Sequence, residues 1–361
     1  MENKNGHLGD EKPLKRLDYI DFLKAFAIFS VVLGHMCQFY WRNLENSVYH
    51  HGIMPWHMPL FAILSGLFFS VKDDVKTFVG KKSRQLFLPF IIWCFIVHFV
   101  CVFIIDIYLL YIEGQVLQIE SWFISFRDGL MEDFWFLRSL FFSFLLAYTS
   151  INVFKRNVTI GVILSVCILY TLSLTGIIPN MKMPCFIYLY PFFCTGIIMR
   201  EYKNFIFIHA NGIIILSMVT FLVCIHFWQG FDDTFYLMNT SMREPEGHAG
   251  ITGWLILFKT VYRFITGVSA SMMVILLARR FEKSLPTYSI VISIGRNTLG
   301  IYILQCIVFN LIPILPVIMT GFFSLVLAII MTMALIMICV YFIRFTSNYP
   351  LLALLLWGKR Q

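Results

Sequence analysis

A lysine and a histidine stand eleven positions apart inside the apolar stretch Tyr19-Ile-Asp-Phe-Leu-Lys-Ala-Phe-Ala-Ile-Phe-Ser-Val-Val-Leu-Gly-His-Met-Cys-Gln-Phe-Tyr40. At about 100° per residue, Lys24 and His35 share one helix face and lie about 16 Å apart along the axis. Asp21 precedes Lys24 by one turn and is its natural ion partner. Ionisable groups in a lipid-embedded helix are costly and normally face an interior cavity, which makes them functional candidates. A buried imidazole stays neutral and can accept a hydroxyl proton, the work of a general base. Lys24 suits an anion such as a phosphate at one membrane surface; the plain alternative is a lysine snorkelling to the interface.

Further candidates sit at comparable positions in later apolar stretches. Trp56-His57-Met-Pro-Leu-Phe-Ala-Ile-Leu-Ser65-Gly66 places His57 at a depth similar to His35, as an acid/base partner or a substrate contact. Two histidines without a third ligand do not build a metal site, and no metal is expected. Ser65-Gly66 suits close helix approach, as small residues do in membrane bundles. Asp133-Phe-Trp135-Phe-Leu-Arg138 offers an interfacial tryptophan and an arginine turned towards a cavity. Lys259 and Arg263, at i and i+4, share one face and point to an anion or polar saccharide pocket, with Asp106 as a distant partner. The run Lys81-Lys82-Ser-Arg84 can hold a nucleotide phosphate, obey the topology rule or touch anionic lipid. A Gly-rich phosphate loop of the Walker type is missing, which disfavours an ATP-driven pump. The stretch 229–253, with Asp232, Asp233, Arg243, Glu244, Glu246 and His248, names no substrate.

The elements that must position these residues follow from composition. Hydrophobic residues make up 59% and charged residues 13% of the 361-residue chain, and the mean hydropathy is +0.79. Such values lie far outside the soluble range. Ten apolar runs long enough to cross a bilayer are expected, at about 19–41, 55–71, 86–112, 134–154, 158–177, 185–199, 205–228, 254–278, 298–315 and 322–343. The fold class is therefore all-α, a single bundle of about ten transmembrane helices. Lysine and arginine cluster in alternate connections, which puts both termini in the cytoplasm. The net charge of +8 is mostly this topology signal, with no soluble basic surface for a nucleic acid. Nine scattered cysteines read as apolar packing residues, not a disulfide framework. No repeat or second domain is evident: residues 1–15 form a polar cytoplasmic segment, 16–345 one membrane domain, and 346–361 an interfacial tail too short to span. The first helix is expected to act as an uncleaved anchor.

Six segments, in this order and spacing, resemble the membrane acyltransferase 3 family, especially its fucose 4-O-acetylase-like branch. They are Leu17-Asp-Tyr-Ile-Asp-Phe-Leu-Lys24…Val31-Val-Leu-Gly-His35, His57-Met-Pro-Leu-Phe…Leu64-Ser-Gly66, Arg84-Gln-Leu-Phe-Leu-Pro-Phe90, Phe134-Trp-Phe-Leu137, Tyr190-Pro-Phe-Phe-Cys-Thr-Gly196 and Ile294-Gly-Arg-Asn-Thr-Leu-Gly-Ile-Tyr302. The resemblance covers about residues 15–345. Two positions depart from the family pattern. Lys24 stands where many members have arginine, which keeps a cation but gives up bidentate phosphate geometry. Gln305 stands where histidine often follows, so no proton-transfer role is assigned there.

The resemblance implies an O-acyltransferase, with acetyl the expected group, in a bacterial inner membrane. It would carry an acyl group from cytoplasmic acyl-CoA, a co-substrate and not a resident cofactor, to a saccharide hydroxyl at the outer face. His35 would be the base, with direct transfer or a covalent acyl-histidine intermediate both open. Lys24, Asp21, Lys81, Lys82 and Arg84 would serve the donor. His57, Trp135, Arg138, Lys259 and Arg263 would serve the acceptor or the oxyanion. The rival classes are a saccharide or lipid transporter without acyl chemistry, and a structural partner of a polysaccharide assembly machine. Oligomeric state is not legible.

Overall fold

The computed structural model describes residues 18–40, 52–113, 119–154, 157–174, 183–227, 253–284, 289–311 and 322–359. Among these residues the fold is all-helical, without a strand. The helices are α1 (Asp18–Tyr40), α2 (His57–Leu67), α3 (Val75–Lys82), α4 (Leu88–Phe95), α5 (Val102–Glu113), α6 (Ile119–Glu132), α7 (Trp135–Val153), α8 (Val158–Leu174) and α9 (Met183–Glu201). They continue as α10 (Lys203–Ile208), α11 (Ala210–His226), α12 (Gly253–Arg280), α13 (Ser289–Arg296), α14 (Thr298–Leu311), α15 (Phe322–Ser347) and α16 (Pro350–Trp357).

Within the described residues each of the ten apolar runs overlaps at least one helix, but not each helix can cross a bilayer alone. Among the described residues five helical stretches are long and apolar enough, and α13 with α14 makes a sixth if that pair, bent by 74°, counts as one span. Three apolar segments form shorter helices: His57–Leu67, Val158–Leu172 and Ala210–His226. The first of these is lined with buried residues from end to end, so it is an interior element and not a lipid-facing span. Four helices fall outside the expected runs: α3, α6, α13 and α16. They are short, and α6 and α13 are set off by breaks that the apolar pattern alone does not mark.

The third span is helical from Val75 to Glu113, with π-helical turns at Ser83–Phe87 and Ile96–Cys101. Pro89, in the first turn of α4, has no N–H to give the preceding turn, and the Leu88 N–H reaches back five residues to the Ser83 carbonyl. The fourth span opens at Trp135, as expected near 134; α6 precedes it, and the chain bends between them at Phe134, φ +45°. Leu137 N–H then closes the first turn of α7 on the Phe134 carbonyl at 2.9 Å.

The core forms where α9 crosses α2. A Cβ on Gly66 would lie 1.9 Å from the Phe193 carbonyl oxygen, and one on Gly196 would lie 2.0 Å from that of Ile63. The two backbones touch because both positions lack side chains, as Ser65-Gly66 suggested. Around this crossing Leu60, Ile63, Leu189, Tyr190 and Phe193 are completely buried. Helix α1 packs against α2, α13, α14 and α15, which buries Asp21 and Ser30 and leaves Lys24 and His35 partly buried. The outer surface is apolar instead: Ile215, Leu216, Val219, Leu222 and Val223 of α11 and Ile338 of α15 are exposed. An apolar exterior of this extent is that of a multi-pass membrane protein.

Residues 346–359, the described part of the expected interfacial tail 346–361, pack against the bundle. Ala353, Leu356 and Trp357 are buried. Trp93 Nε1 donates to the Leu356 carbonyl at 3.0 Å, and Trp357 Nε1 donates to Thr346 Oγ1 at 2.9 Å.

Candidate active site

Lys24 opens onto a cavity of about 660 Å³ at the end of the bundle where α1, α2, α14 and α16 meet the first π turn. Five cations line it: Lys24, Lys82, Arg84, Arg296 and Lys359. No carboxylate of the described residues lines it. Its remaining wall is mostly apolar, with Ile28, Met58, Phe61, Leu64, Phe136 and Leu140. Tyr302 and Ser65 add hydroxyls. A cleft lined by charges of one sign between low-dielectric walls focuses its field and attracts counter-charge. An anion with an apolar extension is the ligand shape this lining favours.

Each cation is placed by a local device. Lys24 comes from the second turn of α1, with Ile28 one turn farther along the same face. Arg84 lies in the π turn ahead of Pro89, and its Nε is buried without a hydrogen-bond partner among the described residues. Lys82 Nζ sits over the Phe144 ring, 3.6 Å from its centroid. Arg296 ends α13, where the chain bends at Asn297 before α14 starts. Asp21 is buried under this end, and Arg296 Nε donates to its Oδ2 at 3.4 Å. Gly295 lets the two helices touch, since a Cβ there would lie 2.0 Å from the Asp21 carbonyl oxygen.

Of the donor residues expected from the sequence, Lys24, Lys82 and Arg84 come together in this lining. Asp21 sits behind it, holding Arg296. Lys81 turns outward and pairs with Asp73 at 3.6 Å, both well exposed. Arg296 and Lys359 were not singled out on sequence. For Arg296 a signal existed: Gly-Arg-Asn-Thr interrupts an apolar run with turn-forming residues. For Lys359 none did, because its place depends on how α16 folds back.

His35 is half-buried on α1, its ring centroid 5.8 Å from that of Phe309. It does not line the cavity. Along the face that carries Lys24 and Ile28 the next residue is Val31, almost fully buried, and His35 follows one turn beyond. From Ile28 to His35 the helix rises about 10 Å.

Of the other expected site residues, His57, Trp135, Arg138 and Arg263 lie away from the cavity lining. His57 is buried, with Nδ1 3.1 Å from the Ile53 carbonyl; that contact requires Nδ1 to carry the proton. Trp135 is partly buried beside the Phe136 ring. Arg138 is buried, and its Nη1 donates to the Leu130 carbonyl at 2.8 Å, capping the last turn of α6 across the bend. Its Nη2 has no hydrogen-bond partner among the described residues. Arg263 is fully buried, the bulkiest such side chain among the described residues. Lys259 belongs to α12, but its side chain lies outside the described residues. The stretch 229–253 lies outside them too, apart from Gly253 at the start of α12. Gln305 is completely buried, with Nε2 3.0 Å from the Cys306 sulfur.

One polar group was not foreseen. His98, in the second π turn, meets Asp133 through Nε2 at 2.6 Å and Ser125 Oγ through Nδ1 at 3.1 Å. The ring lies against Gly129, where a Cβ would be 2.1 Å from Cδ2. This cluster ties the end of α6 to the third span and so fixes the bend from which Arg138 projects.

An acyltransferase-domain model, that of the acyltransferase 3 family, matches residues 17–356. The nodulation protein NolL of Sinorhizobium fredii (strain NBRC 101917 / NGR234) is 25% identical over 315 residues, covering 81% of this chain and 77% of NolL. NolL of Mesorhizobium japonicum (strain LMG 29417 / CECT 9101 / MAFF 303099) is 22% identical over 316 residues, covering 82% and 77%. No solved structure matches. With a family match running from the start of α1 to the end of α16, over the same helices that build the cationic cavity, the chain belongs to the acyltransferase 3 family of membrane acyltransferases.

Proposed function

We propose that the protein is an O-acyltransferase of a bacterial inner membrane that takes an acyl group, acetyl in the simplest case, from cytoplasmic acyl-CoA. The acceptor is a hydroxyl of a saccharide or polysaccharide precursor at the outer face. One observation carries this reading: the cavity, lined among the described residues by five cations and no carboxylate, is bordered by the same helix that bears His35. Coenzyme A combines several phosphates with a long uncharged arm, matching a cationic mouth and an apolar interior. The rise of about 16 Å from Lys24 to His35 is about the reach of a pantetheine arm.

In the proposed reaction His35 takes the acceptor hydroxyl proton as that oxygen attacks the thioester carbonyl. The carbon–sulfur bond then breaks, and the imidazolium returns the proton to the departing thiolate. Arg138, with an unpartnered Nη2, is the first candidate to stabilise the oxyanion, and Lys259 and Arg263 are the others. His57 and Trp135 are assigned to the acceptor side.

Purified protein incubated with labelled acetyl-CoA and a saccharide acceptor tests the reading. Labelled acceptor and free coenzyme A are expected. Saccharide movement across vesicles without any use of acetyl-CoA would instead establish a transporter.

A further inference from the structure

The segment Pro350–Lys359 reaches the cationic cavity from the far end of the described chain. After α16 the chain turns at Gly358, φ +63°, which seats this glycine on the backbone of the first π turn. A Cβ there would lie 2.4 Å from the Arg84 carbonyl oxygen and 2.8 Å from Gln85 Cα. The next residue is Lys359, whose Nζ donates to Asn297 Oδ1 at 2.8 Å, at the bend between α13 and α14. Trp357, Gly358 and Lys359 all line the cavity.

The anchoring is strong for so short a segment. The Trp93 and Trp357 rings pack with centroids 5.5 Å apart, beside the hydrogen bonds that both indoles donate. Burial of these aromatic surfaces holds the turn in place. A lysine that only decorated a surface would not need a left-handed glycine pressed onto the backbone of Arg84. Lys359 is also partly desolvated, which holds its ammonium below the ordinary lysine value. A cation in that state gains most from an anion beside it.

We infer that residues 350–359 form a wall of the donor site, with Lys359 leaving Asn297 to bind a phosphate at the nucleotide end of an acyl-CoA-type donor. The inference rests on the donor reading of the cavity. Arg84 and Arg296 flank Lys359 in the lining and share that phosphate field. The ligand class is a phosphorylated nucleotide, and the pantetheine arm lies on the apolar side, away from Lys359.

Affinity measurements on the full-length detergent-solubilised protein, using coenzyme A and 4′-phosphopantetheine as probes, test it. Lys359→Met is expected to weaken coenzyme A binding by about tenfold or more, the loss typical of a charge-assisted hydrogen bond. Its affinity for 4′-phosphopantetheine, which lacks the nucleotide, is expected to stay within about twofold of wild type. Lys359→Arg should restore most of the coenzyme A affinity, and thermal stability should not separate the two variants. Equal coenzyme A affinity in wild type and Lys359→Met overturns the inference while leaving the donor reading intact. An equal loss for both probes also overturns it, because the effect would then be a general one. Wild-type protein that binds neither probe removes the donor reading itself.

Discussion

Lys24 and His35 divide the proposed work along one helix face, and the structure gives them different surroundings. Lys24 stands among other cations in an open cavity, whereas His35 lies half-buried beyond Val31 and beside Phe309. A residue shared between a ligand and four similar charges is not expected to carry binding alone. Lys24→Ala should therefore weaken acyl-CoA affinity by about tenfold, and Lys24→Arg should keep most of it. Calorimetry on the purified variants checks this, and unchanged affinity in Lys24→Ala would leave only a snorkelling lysine. His35 has no such backup in the proposed chemistry. His35→Ala should lower turnover by about 10²–10⁴-fold with thermal stability nearly unchanged. Wild-type turnover in that variant would remove His35 from the mechanism.

Breaks and close contacts in the helices decide where the cations go. The π turn ahead of Pro89 carries Arg84, the 74° bend at Asn297 carries Arg296, and the turn at Gly358 carries Lys359. Each break sets a basic residue on the cavity lining at the end of an otherwise apolar element, with Arg296 and Lys359 still exposed there. The α2–α9 crossing holds one wall of the cavity, since Phe61, Leu64 and Ser65 project from α2. Gly66→Val should force the crossing apart, because the first obstacle to its Cβ is the Phe193 backbone and not a movable side chain. A destabilisation of about 1–3 kcal/mol is expected, together with weaker donor binding. A thermal melt and a donor titration in detergent are the measurements; a variant as stable as wild type would show that the crossing can relax.

At the scale of the whole molecule, the arrangement puts a cationic cavity at one end of a bundle whose outside is apolar. The proposed function takes that end to be the cytoplasmic one, the side that the lysine and arginine bias favours. In sealed vesicles of known orientation, acetyl-CoA added to the cytoplasmic face should support acylation of an acceptor confined to the other side. Activity only when both substrates share the cytoplasmic compartment would refute the cross-membrane design, even with His35 catalytic. The bundle also explains why the polar residues are tolerated. Asp21, His57, Arg138 and Arg263 are buried in protein, where hydrogen bonds can replace water, while the lipid-facing surfaces of α11 and α15 stay apolar.

Residue order by itself determined the class of this protein, because a run of apolar residues long enough to span a bilayer is a local property. It determined the face shared by Lys24 and His35 for the same reason, since helical periodicity needs only spacing. The glycine contact at Gly66 was legible as a small residue in an apolar helix, although its partner Gly196 was not. What only the tertiary structure decided depends on where chain segments turn. α6, α13 and α16 are too short, or too closely bounded by breaks, to stand out from an apolar background. Their placement brings Asp21 beneath Arg296, and Lys359 beside Arg84. These residues are separated by hundreds of positions, and no local pattern encodes their meeting. It arises because α13 and α16 bury their apolar faces against α1 and α4, and the polar residue at each helix end is carried to the same cavity.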